Sequence, residues 1–185
     1  MLTRQQDDDA LMARTAQGEE PAFRLLVQRW ESDVRGFLIH MLGSVEEAED
    51  LTQETFVRVY HQATRYRGQG LFRSWLFRIA GNLARSRLRR RKVLRWVHFD
   101  PGVHDLADRG PAPDAVLEER EQQVAVRAAL AALPDRQREA LTLHRFQGLK
   151  YREIAAVMGT TVPGVESLIQ RALAALRDRL AGKED

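Results

Sequence analysis

Two stretches of this 185-residue chain hold the side chains whose types and spacing could do chemistry. Between Phe72 and Lys92, Arg73, Arg78, Arg85, Arg87, Arg89, Arg90, Arg91 and Lys92 are interleaved with Phe72, Trp75, Phe77 and Asn82. Guanidinium groups hold phosphate oxygens and aromatic rings stack on bases, so the mixture suits unpaired nucleic acid. By helical spacing Phe72, Leu76, Ile79 and Leu83 are core positions, Trp75 and Phe77 fit core or surface, and Asn82 and Arg85 face outward. The Gly-containing loop 65–70 before it could pocket an extruded base. The second stretch follows Lys150. Ala155, then Gly159 four residues on, then Val165 six further on are the small contact, the tight turn and the apolar anchor of a helix-turn-helix. Ile154, Met158 and Leu168 are further inward positions. Pro163 stands where a missing N–H costs least. The exposed start of such a second helix enters a major groove. Pro163, Gly164, Glu166, Ser167, Gln170 and Arg171 are the candidates there, with Lys150 and Arg152 placed for phosphates. A plain helical hairpin would share the spacing.

The composition excludes other chemistry. There is no cysteine, which removes disulfides, thiolate metal sites and a thiol nucleophile. His98 and His104 stand alone in a Pro-containing stretch, so no metal constellation forms. Neither a Ser-His-Asp pattern nor a phosphate-cradling Gly-rich loop is present. We expect no enzyme activity, no cofactor, no metal and no small-molecule substrate. No run reaches the roughly 18 apolar residues of a spanning helix. MLTRQQDDDA lacks an apolar leader, which leads us to expect a cytoplasmic protein.

The elements that must position these residues read as helices throughout. ALMARTAQ stops at Gly18, and PAFRLLVQRWESDVRGFLIHML stops at Gly43 with apolar residues at the 3.6 period. Ser44 with Glu47 spells a capping box opening SVEEAEDLTQETFVRVYHQA. LFRSWLFRIAGNLARSRLRRR ends in a basic run. Residues 93–113 hold three of the six prolines and no sustained period. The expected fold is therefore all-α: two small helical modules, 1–92 and 114–185, joined by a flexible linker, 93–113, with the helix-turn-helix in the C-terminal one. Asp114 should cap a helix reaching about Leu133.

Charge is segregated. The net charge is −7 over residues 1–54, +12 over 55–99, where no carboxylate occurs, and −2 over 100–185. Such a field draws polyanions. It also suggests that the acidic first segment folds over the basic second one. Asp50, Gln53 and Glu54, near Phe56, Val57 and Tyr60, could instead dock on a basic partner helix. The helix dipole accounts for the early acids equally well.

AEDLTQETFVRVY (48–60), FRSWLFRIAGNLARSRLRRR (72–91) and ALPDRQREALTLHRFQGLKYREIAAVMGTTVPGVESLIQRALAALR (132–177) occur in this order. Together they resemble the extracytoplasmic-function class of bacterial RNA polymerase sigma factors over about residues 8–181. The resemblance implies a factor that binds core RNA polymerase and starts transcription at a two-part promoter. Asp50, Gln53, Glu54, Phe56, Val57 and Tyr60 would meet polymerase. Arg65, Tyr66, Arg67, Gly68, Arg78, Asn82, Arg85 and Arg89 would meet the melted minus-ten element and hold flipped non-template bases. Lys150, Arg152, Pro163, Gly164, Glu166, Ser167, Gln170 and Arg171 would read the minus-thirty-five duplex. The linker would thread toward the polymerase cleft. An anti-sigma factor, membrane-anchored in many relatives, is an implied partner. Glu166 and Leu168 stand where relatives often carry Arg, which changes the sequence such a helix would read.

Overall fold

The computed structural model describes residues 4–97, 126 and 128–181. The first helix, α1 (Arg4–Ala16), starts ahead of the acidic triplet rather than after it. Asp8 is fully buried, and accepts hydrogen bonds from Arg29 Nη1 (2.6 Å) and Trp30 Nε1 (3.1 Å). Two waiting donors make an aspartate welcome inside the first turns. Next comes α2 (Glu20–Leu42), with Pro21 in its first turn and Gly43 closing it in the left-handed conformation (φ 71°).

In α3 (Val45–His61), Ser44 Oγ accepts from Glu47 N. The other half of the expected capping box differs, because the Glu47 carboxylate pairs with Arg87 and Arg91. A short 3-10 turn (Ala63–Arg65) leads to α4 (Phe72–Val97). That helix runs past residue 92, into residues expected as linker. Linker residues 98–113, His98, His104 and the Asp114 cap lie outside the described residues. A helical stretch at 128–131 precedes Pro134, followed by α5 (Asp135–Arg145), α6 (Tyr151–Met158) and α7 (Val162–Ala181).

The N-terminal core is aromatic. Phe72, Leu76, Phe77, Ala80, Leu83 and Ala84 of α4 are buried against Leu26, Trp30, Phe37 and Leu38 of α2. Phe77 meets Phe37 edge-on at 5.5 Å and Trp30 at 6.4 Å. Such pairs add about 0.5–1.5 kcal/mol beyond burial.

The two modules are not separate bodies in this structure; their apolar residues form one continuous core. Helix α5 packs on α2, and α6 on α4. Arg138, 6% exposed, donates from Nη1 to Met41 O (2.6 Å) and from Nη2 to Leu133 O (3.1 Å), tying α5 to the end of α2. Gln147 donates to Asp33 O, and Phe146 stacks on His40 at 4.0 Å. Glu139 is fully buried and ion-paired through Oε1 with Arg85. Its Oε2 has no hydrogen-bond partner among the described residues. Gly81 lets this carboxylate approach: a Cβ there would lie 2.6 Å from Oε1.

Burial outweighs the pull of Arg85 and holds the Glu139 carboxyl above the ordinary glutamate value. A raised value means that the packed state favours the protonated form. That contribution is complete below the ordinary value and is lost as pH rises through the raised one. Packing of the C-terminal helices on α4 should therefore be tighter at about pH 5 than at about pH 8. Glu139→Gln should level this dependence. Because the chain has no native cysteine, dyes on Glu46→Cys and Ala174→Cys read the separation directly.

Candidate nucleic-acid interface

The loop between α3 and α4 is held in shape by side chains from outside it. Tyr66 is half-buried, its ring 4.9 Å from Trp75 and 5.9 Å from Phe72. Its hydroxyl donates to Asp9 Oδ1 (2.5 Å), while Gly70 N donates to Asp9 Oδ2 (2.6 Å). Burial and the adjacent Asp9 raise the Tyr66 hydroxyl far above its ordinary value, so it stays a donor at any physiological pH. Gly70, at φ 69°, turns the chain into α4. Arg65, Arg67 and Gly68 are exposed on this loop.

Beside the loop, a concave site of about 230 Å³ opens between the end of α3 and α4, lined by Arg58, Gln62, Trp75, Arg78, Ile79 and Asn82. Two guanidinium groups suit phosphates, two amides suit base edges, and an indole offers a stacking face. Arg78 and Asn82 are exposed, as is Arg89, which donates to Ser86 Oγ. Arg85 differs: it is half-buried, bound to Glu139, and donates to Asn82 Oδ1 (2.5 Å). The expectation that it faces outward is corrected here, because α5 brings a buried carboxylate against it. Sequence reasoning passed over Arg58 and Gln62 and left Trp75 undecided. The signal was there: Arg58/Gln62 and Arg78/Asn82 are two i,i+4 pairs on helices that meet.

Of the acidic first segment, Glu47 reaches α4, where it pairs with Arg87 and Arg91. Glu54 pairs with Arg58 on its own helix (2.8 Å). Among the described residues, Glu47, Glu139 and Asp135 ion-pair with α4, the last through Lys92 (2.7 Å). Asp50, Gln53, Val57 and Tyr60 line an exposed face of α3, where Tyr60 meets Phe23 edge-on at 5.1 Å. Phe56 does not join that face. It is 6% exposed and part of the core, since its helical position turns it inward.

In the C-terminal module Gly159 ends α6 at φ 60°, with its N–H on Ala155 O. Ile154, Ala155, Val157, Met158, Val165 and Ile169 are buried, whereas Leu168 is only partly so. Pro163, Glu166, Ser167, Gln170 and Arg171 are exposed at i,i+3/i+4 spacing along α7, with Gly164 partly covered by Thr160 and Thr161. Arg171 donates to Ser167 Oγ (2.9 Å) and Ser167 O (3.1 Å). Lys150 and Arg152 are exposed at the start of α6, where Lys150 N donates to Glu153 Oε2. Among the described residues no group of three or more His, Asp or Glu could hold a metal ion, and no helix is long and apolar enough to cross a membrane.

Residues 26–93 match the family described as sigma-70 region 2, and residues 123–176 match sigma-70, region 4. The RNA polymerase sigma-H factor of Pseudomonas aeruginosa is 35% identical over 184 residues, covering 95% of this chain and 94% of that one. The chain belongs to the extracytoplasmic-function class of RNA polymerase sigma factors. The corresponding sigma-E factor of Haemophilus influenzae is 31% identical over 188 residues, 97% of this chain and 98% of its own. Among solved structures, CnrH in complex with the cytosolic domain of CnrY matches with a TM-score of 0.73 at 27% identity, covering 95% of this chain and 98% of that one. The Bartonella quintana sigma factor RpoE, solved with the anti-sigma factor NepR, shares the fold at a TM-score of 0.73 and 23% identity, over 86% of this chain and 96% of its own. This sigma factor therefore directs transcription initiation, and its class acts without enzymatic chemistry of its own.

The turn between α6 and α7 depends on Gly159 being left-handed. Gly159→Ala should cost the C-terminal module about 1–2 kcal/mol. Urea denaturation of the whole chain measures it, with Gly36→Ala, at an open helical position where the same change should gain about 0.5–1 kcal/mol, as the comparison.

Proposed function

We propose that this sigma factor reads a two-part promoter, with α7 on duplex DNA and the α3–α4 site on bases that leave the duplex. The observation that carries the reading is the concave site. It is large enough for a base and offers phosphate, base-edge and stacking partners at once. On this reading Asn82 and Arg78 hold a melted non-template base, with Arg58, Gln62 and Trp75 completing the pocket. Arg65, Arg67, Gly68 and Arg89, exposed outside its lining, track the backbone. Glu166, Ser167, Gln170 and Arg171 face base edges, while Lys150 and Arg152 hold phosphates. Asp50, Gln53, Val57 and Tyr60 present the acidic and apolar face that docks on polymerase.

The energetics are compatible. Each stacked base contributes roughly 1–3 kcal/mol, against about 1.4 kcal/mol for each duplex step lost. A few captured bases nearly offset a few melted steps, and polymerase contacts supply the rest. Docking must also lift α5 from α4 before Arg85 reaches DNA, since Glu139 holds that guanidinium in the packed state. The likeness to CnrH, solved with the cytosolic domain of CnrY, supports an anti-sigma factor as a further partner. With polymerase as its partner, the protein works in the cytoplasm.

The test is reconstitution with bacterial core RNA polymerase lacking sigma, first by comigration, then by transcription from a genomic fragment library. A stable complex and transcripts starting beneath a shared two-part element are expected; absence of both overturns the reading. Asn82→Ala and Arg78→Ala should leave core binding within about twofold and lower open complexes about tenfold, the equivalent of one lost base contact. Arg171→Ala should relax discrimination at one base pair of the upstream element by about 1–3 kcal/mol.

A further inference from the structure

Asp9 lies outside the two matched regions and was assigned no role by residue spacing. Yet it is the residue on which both ends of the α3–α4 loop converge. One carboxylate oxygen takes the Tyr66 hydroxyl at 2.5 Å and the other takes Gly70 N at 2.6 Å. Between those two points Gly68 passes over the Asp9 side chain, and a Cβ on Gly68 would lie 3.5 Å from Asp9 Cβ and Oδ2. The clamp is bidentate and charge-assisted, the stronger kind of hydrogen bond. It also bridges elements 57 and 61 residues apart in sequence, so no local preference of the loop can replace it.

The clamp leads to the pocket. Tyr66, fixed at its hydroxyl, packs its ring on Trp75 at 4.9 Å, and Trp75 lines the concave site. The neighbouring Asp8 fixes α1 by its bonds to Arg29 and Trp30, so Asp9 is presented from a rigid support. We infer that Asp9 is a positioning residue for base capture: it holds loop 66–70 and, through Tyr66, the Trp75 wall of the pocket in the geometry that receives a melted base. Asp9 touches no DNA on this inference. It acts by lowering the entropy that the loop would otherwise lose on capture. The inference rests on the base-capture reading above.

The experiment uses holoenzyme assembled from the full chain and core polymerase, on a promoter recovered from the fragment library. 2-Aminopurine is placed in turn at each non-template position of the melted element. In the wild type one position should brighten on opening, as its base leaves the stack. Asp9→Ala should lower that signal and the transcript yield at least tenfold, because two charge-assisted hydrogen bonds are lost. Core affinity should stay within about twofold. Tyr66→Phe, which keeps the ring and loses one of the two bonds, should fall between, as should Asp9→Asn. If the wild type brightens at one position and Asp9→Ala, Asp9→Asn and Tyr66→Phe all match it, the positioning role is overturned and base capture stands. If no position brightens in the wild type, base capture falls and the positioning role falls with it. Should Asp9→Ala lose core binding in parallel with the signal, and Tyr66→Phe and Asp9→Asn keep both, Asp9 is only a support of the fold and the inference is overturned.

Discussion

Everything in this structure answers to α4, a 26-residue helix with no carboxylate of its own. Its apolar stripe is buried against α2, which forces its cations onto the remaining surface. Like charges at helical spacing repel. The compensating carboxylates must come from other elements: Glu47 from α3, Asp135 and Glu139 from α5. What remains exposed, Arg78, Arg89 and Arg90 among others, is the field available to a polyanion. The same constraint makes the helix both the centre of the N-terminal core and the source of its exposed cationic surface.

Glu139 shows how finely this compensation is set. A buried carboxylate with one oxygen on Arg85 and the other unpartnered is an expensive arrangement for packing alone. A buried pair of this kind gives the contact between modules sensitivity to protonation and to competing anions. Gly81 permits the approach by leaving out a side chain. Arg138 and Gln147 fix the same interface through backbone carbonyls, which carry no titratable charge.

The N-terminal acids divide their labour by geometry. Asp8 is a structural group, satisfied by two donors of α2, and Asp9 one residue on reaches the opposite neighbour, the loop before α4. Adjacent helical positions are about 100° apart, so consecutive aspartates cannot serve one partner. In sequence the triplet looks like a solvated charge run at a helix start. Folded, Asp8 and Asp9 of the triplet join α1 to both sides of the N-terminal module.

The sequence by itself determined the helices, their order and their apolar faces, because periodicity, Gly43, Gly159 and Pro21 act within a few residues of where they stand. It also determined the helix-turn-helix, whose spacing is local, and the basic, aromatic character of residues 72–92. Only the tertiary structure decided which of those residues are free. Phe56 and Phe77 turn inward, Arg85 is claimed by Glu139 from 54 residues away, and Arg58 and Gln62 meet Arg78 and Asn82 across two helices. It also decided that the modules share a core and that α4 continues to Val97. The reason is physical. A helix and its face follow from near neighbours, whereas ion pairs, pockets and buried charges depend on distances between elements, which are fixed only when all of them pack.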